Sequence, residues 1–441
     1  MTAPRPTLVR RLAATTALAT ALALAPIPAR ALNGHFIHGV GARNSSLGGA
    51  GVALPTDALS ALALNPALLT GLDGYQVQSS IELLAGSPEV ESSVATPFGT
   101  FSGVTEDDTG LLPIPAFGWS HHRAGSRLAY GMGTLAMAGF LTDYPQDPRN
   151  PILAPQPQGF GRVSSEYQYL RIPLALAYRV SDRLSLGGAL TLGYARLGAS
   201  PAAFAAPDCS SPADCVYPAA NAEGAYGWGA QVGLHYRASP AWSFGASYSS
   251  EQSFEDFEFN SEVANPRLPS AGTARSFEFA VDVPAQAVVG VAWRPNERLA
   301  VALDGKWIGY DGVAGLGTFG FNPDGSIRGF GWDDIVVAAL GVEYAPGERW
   351  SLRAGYNLAE SPIVPERALL SLPAPATFED HVTLGLGARV TEALVLDLAY
   401  YRGFENDVSG PLLGPAGPVP GTEVTQRNSS DSVVSTFSFT F

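Results

Sequence analysis

The residues in this chain that could do bond-making chemistry are few and poorly grouped. Cys209 and Cys215 stand six positions apart. In an oxidising compartment they would close a small loop disulfide; otherwise they would remain two thiols. Six histidines are scattered along the chain, and although His121 and His122 are adjacent, no HExxH pair or other metal-ligand spacing accompanies them. No metal centre is therefore expected. Gly315–Gly320 reads GLGTFG and fits GxGxxG. That pattern cradles a phosphate only where a strand runs into it and a helix leaves it, and here it lies in a long connection. A GxSxG nucleophile elbow is absent. These residues assign no catalytic group and imply no cofactor.

The N-terminus defines the compartment. Arg5, Arg10 and Arg11 form a positive start, Leu12–Ala25 an apolar run too short to span a membrane, and Ala29-Arg30-Ala31 a small-x-small cleavage pattern. Residues 1–31 thus read as a secretory signal, with the mature chain starting near Leu32. The whole chain carries a net charge of −14, and the first 31 residues hold four arginines and no acid, so the remainder carries −18. Binding to nucleic acid through a basic patch is not expected. Charged residues make up 15% of the chain, against about 25% in soluble domains. Mean hydropathy is only +0.10, and no later segment approaches the ~18 apolar residues of a helical span. An exported chain of this kind is periplasmic, secreted or an outer-membrane barrel.

The elements decide between these. From Tyr75 onward, segments of strand length alternate in polarity: Gly74–Leu84, Pro115–Arg123, Leu128–Thr142, Ser165–Arg179, Leu184–Leu197, Gly227–Arg237, Trp242–Phe254, Arg275–Trp293, Leu299–Tyr310, Trp332–Tyr344, Trp350–Ala359, His381–Val390, Leu394–Gly403 and Ser432–Phe441. Pro284 makes the eighth either kinked or two strands. Connections alternate between short (AGSR, VSDR, ASPA, RPNER, APGER, TEA) and long stretches rich in Pro, Gly and acid. This predicts an all-β fold, a 14-stranded antiparallel transmembrane barrel with periplasmic termini and long external loops. Strand faces agree: Leu299, Val301, Leu303 and Trp307 oppose Ala300, Ala302, Asp304 and Lys306. Tyr178, Tyr236, Trp293, Tyr344, Trp350 and Tyr400 fall at strand ends, as an aromatic girdle would. The chain closes on alternating Phe437, Phe439 and Phe441, which resembles the terminal signal read by barrel-assembly machinery.

One stretch stands outside this pattern. Thr56–Tyr75, TDALSALALNPALLTGLDGY, is apolar yet neither strand nor membrane span; it suits a lid, plug or linker. Together with the residues before it, GVGARNSSLGGAGVALPTDALSALALNPALL (Gly39–Leu69), it resembles the N-terminal hatch of the FadL-type long-chain fatty-acid and toluene transporters. Asn65, Pro66 and Ala67 fall on the family's Asn-Pro-Ala motif. Tyr226–Glu251, Gly331–Tyr344 and Trp350–Pro375 are similar to the family as well. The resemblance implies a signal peptide at 1–31, a hatch at 32–73 and a barrel at 74–441. It further implies passive uptake of fatty acids or other hydrophobic compounds by a monomer in the outer-membrane lipid, through an external groove, a hatch-lined pocket and a sideways exit.

Several residues carry roles over from the family. Gly139, flanked by Ala138 and Phe140, matches the glycine at the kink of the third strand. Phe36 and Ile37 match by position the apolar residues lining the inner pocket. Phe204, Tyr217, Phe257 and Phe259 lie in the third and fourth long loops, where the family has its groove. The cations that hold a carboxylate in the fatty-acid prototype are missing: Leu197–Pro201 follows Tyr194-Ala195-Arg196 without a base, and Asp333 replaces a lysine beside Asp334. Arg171, Arg196, Arg237 or Lys306 would have to substitute, or else the ligand is uncharged. These four, with Asp304, equally suit a lumenal ion-pair network. Two other classes compete with uptake: a diffusion porin or structural barrel, which needs no plug, and a barrel enzyme with its Ser, His and Asp spread over strands.

Overall fold

The computed structural model describes residues 33–441; the expected signal peptide lies outside the described residues. Fourteen strands form the wall. They are β1 (Gly74–Gly86), β2 (Leu112–His122), β3 (Leu128–Tyr144), β4 (Val163–Arg179), β5 (Leu184–Ser200), β6 (Ala220–Arg237), β7 (Trp242–Ser249), β8 (Ala285–Asn296), β9 (Leu299–Gly309), β10 (Ile335–Tyr344), β11 (Trp350–Ala359), β12 (Asp380–Arg389), β13 (Leu394–Gly410) and β14 (Thr422–Thr440). Each pairs antiparallel with the next. β14 returns to β1, from Gln76↔Thr440 to Gly86↔Ser430, and closes the barrel. Closure leaves the sheet with no end strand, the condition for crossing a bilayer with strands.

Side chains obey the period of two. On β6, Trp228, Val232, Leu234 and Tyr236 are exposed on the outer face, while Gln231 and His235 are buried within. On β9, Leu303 and Trp307 point out, and Ala300, Ala302 and Asp304 point in. Such an apolar exterior suits lipid and leaves polar side chains to face the lumen. Six connections of two to five residues lie at one end, at 123–127, 180–183, 238–241, 297–298, 345–349 and 390–393. All long connections lie at the other.

Some boundaries differ from the expected ones. Arg275–Trp293 is two elements. Ala274–Phe279 pairs with Phe257–Glu262 in a hairpin of its own, and only Ala285–Asn296 joins the wall. Pro284, lacking an N–H, stands at the break. β7 ends at Ser249, and Ser253–Phe254 rejoins β6. β13 and β14 run on to Gly410 and from Thr422, well past the expected ends, and Glu89–Thr96 with Gly99–Glu106 forms an unexpected hairpin against β14. Those extensions are largely polar, with a few inward valines, Val90, Val408 and Val424, since above the lipid band nothing requires an apolar outer face.

The N-terminal segment fills the lumen. It contains α1 (Gly41–Ser45), α2 (Ala58–Leu64) and a 3-10 turn at Pro66–Gly71. The Asp57 side chain caps α2 by accepting from the Ser60 N–H at 2.9 Å. Every residue of α2 is buried, as expected for a helix that is apolar all round.

Candidate functional site

The Asn65-Pro66-Ala67 turn is fixed to the wall from both sides. Asn65 is fully buried. Its Nδ2 donates to Val52 O at 2.8 Å and to Leu234 O of β6 at 3.0 Å, and its Oδ1 accepts from Ala67 N at 3.0 Å. One carboxamide thus caps the 3-10 turn and holds the segment to the barrel. The wall beneath is a cross-strand glycine pair, Gly187↔Gly233. A methyl group on either would overlap the turn, so the close approach requires glycine. Asp304 makes a second attachment, its Oδ2 accepting from Gly51 N at 2.7 Å and Val52 N at 2.8 Å.

A few strands away, between β2 and β3, the wall is interrupted. β2 pairs with β3 only from Ala116↔Leu135 to His122↔Ala129. Leu112–Pro113 and Ile114–Pro115 remain on β1 and part from β3. β3 stays on β4 through a bulge between Ala136 and Ala138, with Met137 the extra residue. A bulge bends its strand and ends regular pairing. The vacated edge of β3 is taken by the N-terminal segment: Ile37 N donates to Met137 O at 3.1 Å, Gly139 N donates to His35 O at 3.0 Å, and Phe36 bridges Ala138. The kink is therefore centred on Met137, two residues before Gly139. A Cβ on Gly139 would come within 2.5 Å of the Tyr167 carbonyl oxygen, which keeps this stretch close to β4.

Two cavities flank that gap. The inner one, of about 650 Å³, is lined by Gly34, His35, Leu84, Leu112, Trp332 and Phe378 among others. Phe36 and Ile37 do not line it. Phe36 is buried in the core and Ile37 faces a smaller polar cavity beside Lys306, while the turn before them presents Gly34 and His35 to the pocket. His35 Nδ1 lies 2.8 Å from Tyr310 Oη, and its ring packs among Tyr167, Tyr310 and Trp332 at 5.6–5.9 Å. Burial holds His35 down at a pKa of about 3, so it is neutral here.

The outer cavity, of about 900 Å³, opens among the long loops. Phe204 and Tyr217 line it, joined by Phe160, Phe279, Phe330 and Leu369 from other connections. Phe257 and Phe259 do not. Both are buried behind it, on the inward face of their hairpin, with Phe259 against Phe204 at 5.3 Å. Cys209 and Cys215 are bonded and close the 208–216 hairpin of the same loop. No charged side chain lines this cavity, whose only side-chain polar groups are the hydroxyls of Ser165, Tyr167 and Tyr217. Phe140 lines both cavities. Its ring stacks on Tyr167 at 5.2 Å.

The five expected lumenal charges are not one network. Arg171 is buried against Gln231, at 2.5 Å. Arg196 pairs with Glu166 at 3.1 Å toward the loops, and Arg237 lies at the short-turn mouth, bonded to Asp182 O. Asp304 holds the segment, and Lys306 lines the small cavity. The network that does form was not expected. Arg43 bridges to Glu343 at 2.7 Å, and Arg353 bonds both Glu343 at 2.5 Å and Asp397 at 2.7 Å. Its signal was available: Glu343, Arg353 and Asp397 each take the inward parity among apolar outward neighbours.

The sequence profile of the outer membrane protein transport proteins (OMPP1/FadL/TodX) matches residues 25–441. The chain belongs to this family. Members form transport channels rather than enzymes. Solved structures similar to it include the Pseudomonas putida toluene transporter TodX (20% identity, 94% of this chain and 100% of that one, TM-score 0.67). The Ralstonia pickettii toluene transporter TbuX follows at 19% identity, 92% and 99% coverage and TM-score 0.63. A Pseudomonas aeruginosa FadL homologue has 17% identity, 94% and 99% coverage and TM-score 0.69. At these identities the likeness concerns the fold. A search of curated proteins gave no match. This chain is thus an outer-membrane barrel of a family that transports hydrophobic compounds.

Proposed function

We propose that the protein takes up uncharged hydrophobic compounds, aromatic or aliphatic, without an energy source. The ligand enters the loop cavity, passes Phe140 to the inner pocket, and leaves sideways between β2 and β3 where the N-terminal segment covers the gap. Residues 33–73 act as a hatch in this scheme. The long loops face the exterior, the short turns and both termini face the periplasm, Phe441 engages the assembly machinery, and the barrel works as a monomer.

The observation that carries this reading is Phe140, a single ring shared by two cavities beside a break in the wall. A sideways exit keeps an apolar molecule from being rehydrated, which costs about 25 cal/mol per Å² of apolar surface. The uncharged lining supports an uncharged ligand. A carboxylate buried without a cation is strongly disfavoured, and neither cavity offers a lysine or arginine. The toluene transporters of similar fold accord with this choice. Uptake of labelled toluene and of oleate by cells carrying this barrel as their sole such channel tests it. Toluene should enter and oleate should not; saturable oleate uptake without toluene uptake overturns the reading.

A further inference from the structure

At the short-turn end the lumen opens into a vestibule of about 840 Å³. Four arginines line it: Arg179 at the end of β4, Arg183 in the next turn, Arg237 at the end of β6 and Arg294 near the end of β8. Their strands alternate around one arc of the rim, with β5 and β7 between them, and Arg237 N donates to Arg183 O at 2.7 Å. Among the described residues none of the four has a carboxylate within 4.0 Å; Arg294 lies in the longer-range field of one, Glu343. Ten other arginines are ion-paired, and all lie in the lumen or toward the long loops. Two of the four reach only backbone carbonyls: Arg179 donates to Thr70 O, and Arg237 to Asp182 O at 2.8 Å. Asp182 thus lends its backbone, not its carboxylate.

The clustering is unfavourable by itself. Like charges gathered in a partly enclosed space repel, more so as water is excluded. It also runs against a chain whose net charge is −14. A second observation points to a ligand. His235 lines the same vestibule, is 8% exposed, and its Nε2 has no hydrogen-bond partner among the described residues. A buried ring nitrogen without a partner is costly. An oxyanion would neutralise the arginines through forked N–H contacts.

We propose that the vestibule binds a phosphate-type oxyanion, either free in solution or as a phospholipid headgroup from the adjoining leaflet. The proposal stands independently of which compound the channel transports. Leu54, Pro55, Thr70 and Gly71 of the N-terminal segment also line the vestibule, so the anion would sit where that segment approaches the mouth.

The test uses the full barrel at low ionic strength. Inorganic pyrophosphate is titrated calorimetrically in nonionic detergent, and lipid retention is read by native mass spectrometry from phosphatidylcholine nanodiscs with and without phosphatidylglycerol. Pyrophosphate heat identifies a free anion; selective retention of phosphatidylglycerol identifies a headgroup. Arg183→Gln with Arg294→Gln, neither side chain holding a bond in the fold, should weaken binding at least about tenfold, as the loss of two charge-assisted contacts implies. Arg349→Gln with Arg389→Gln, outside the vestibule on the same rim, should leave it unchanged. The proposal fails if neither ligand binds, if the first pair of substitutions has no effect, or if the second pair weakens binding equally.

Discussion

Asn65 lies directly on Gly233 of the barrel wall, so closely that a methyl group on the glycine would overlap the Asn65 carboxamide oxygen. Gly187, the cross-strand partner of Gly233, is covered in the same way by the Pro66–Ala67 backbone. The Asn-Pro-Ala turn and this glycine pair are one unit. Gly233→Ala should destabilise docking of the N-terminal segment by about 1–3 kcal/mol, the usual cost of overpacking. Limited proteolysis of residues 33–73 in the assembled barrel should show faster cleavage; an unchanged rate would separate the two features.

Replacing Asn65 and Pro66 together by alanine acts from the other side of the same contact. Val52 O and Leu234 O lose their donor. A buried polar group left unpaired costs about 1–3 kcal/mol. The barrel should still assemble and migrate as a folded, heat-modifiable species, while uptake changes. Unaltered uptake would argue that the segment is static during transport.

Deleting Met137 removes the extra residue of the bulge. β3 could then continue pairing with β2 beyond Leu135, closing the gap that the N-terminal segment covers. Transport of toluene by cells should fall strongly, with binding in the loop cavity retained. Full transport in the deletion would place the exit elsewhere.

Arg353 joins Glu343 and Asp397 inside the lumen, and Arg43 brings the N-terminal segment to the same carboxylate. Arg353→Met leaves carboxylates buried without their partner. Breaking a buried pair from one side costs about 3–5 kcal/mol, so unfolding in urea should shift by this amount. Arg353→Met combined with Asp397→Leu should recover part of the loss. Equal stability of the single variant and the parent would show that the network is solvated.

His35 makes docking of the N-terminal segment sensitive to acid. Burial lowers it to a pKa of about 3, whereas the undocked residue titrates near 6.5. The undocked form therefore binds more protons in this window. Docking is fully supported above about pH 6.5 and weakens as pH falls toward 3, by roughly 2 kcal/mol at pH 5. His38, lowered to about 4 by burial, acts in the same direction. Protease access to the segment should rise between pH 7 and pH 5, and His35→Phe should reduce that rise. A flat response would contradict it.

The barrel was legible because its signal is local. Alternation on Leu299–Gly309 marks inner and outer faces without reference to any other strand, and the short turns after β2, β4 and β6 carry their own Gly, Pro and Asp chemistry. The apolar Ala58–Leu64 was legible as a misfit for the same reason. Phe257 and Phe259 share one face of an alternating hairpin, but alternation does not say what that face meets; whether such a ring lines a cavity or backs it depends on the neighbouring loop.

The sequence alone determined how many strands cross, which side chains face lipid, and that an apolar segment precedes them, since each follows from a repeat of two residues or from its interruption. The tertiary structure decided the rest. The break at Met137 is a relation between the registers of β2, β3 and β4. The cavity shared through Phe140 requires loops distant in sequence to converge. The arginine vestibule gathers the ends of β4, β6 and β8. None of these is a property of one segment: each arises because closing the barrel fixes, all at once, the relative positions of strands that the chain visits one by one.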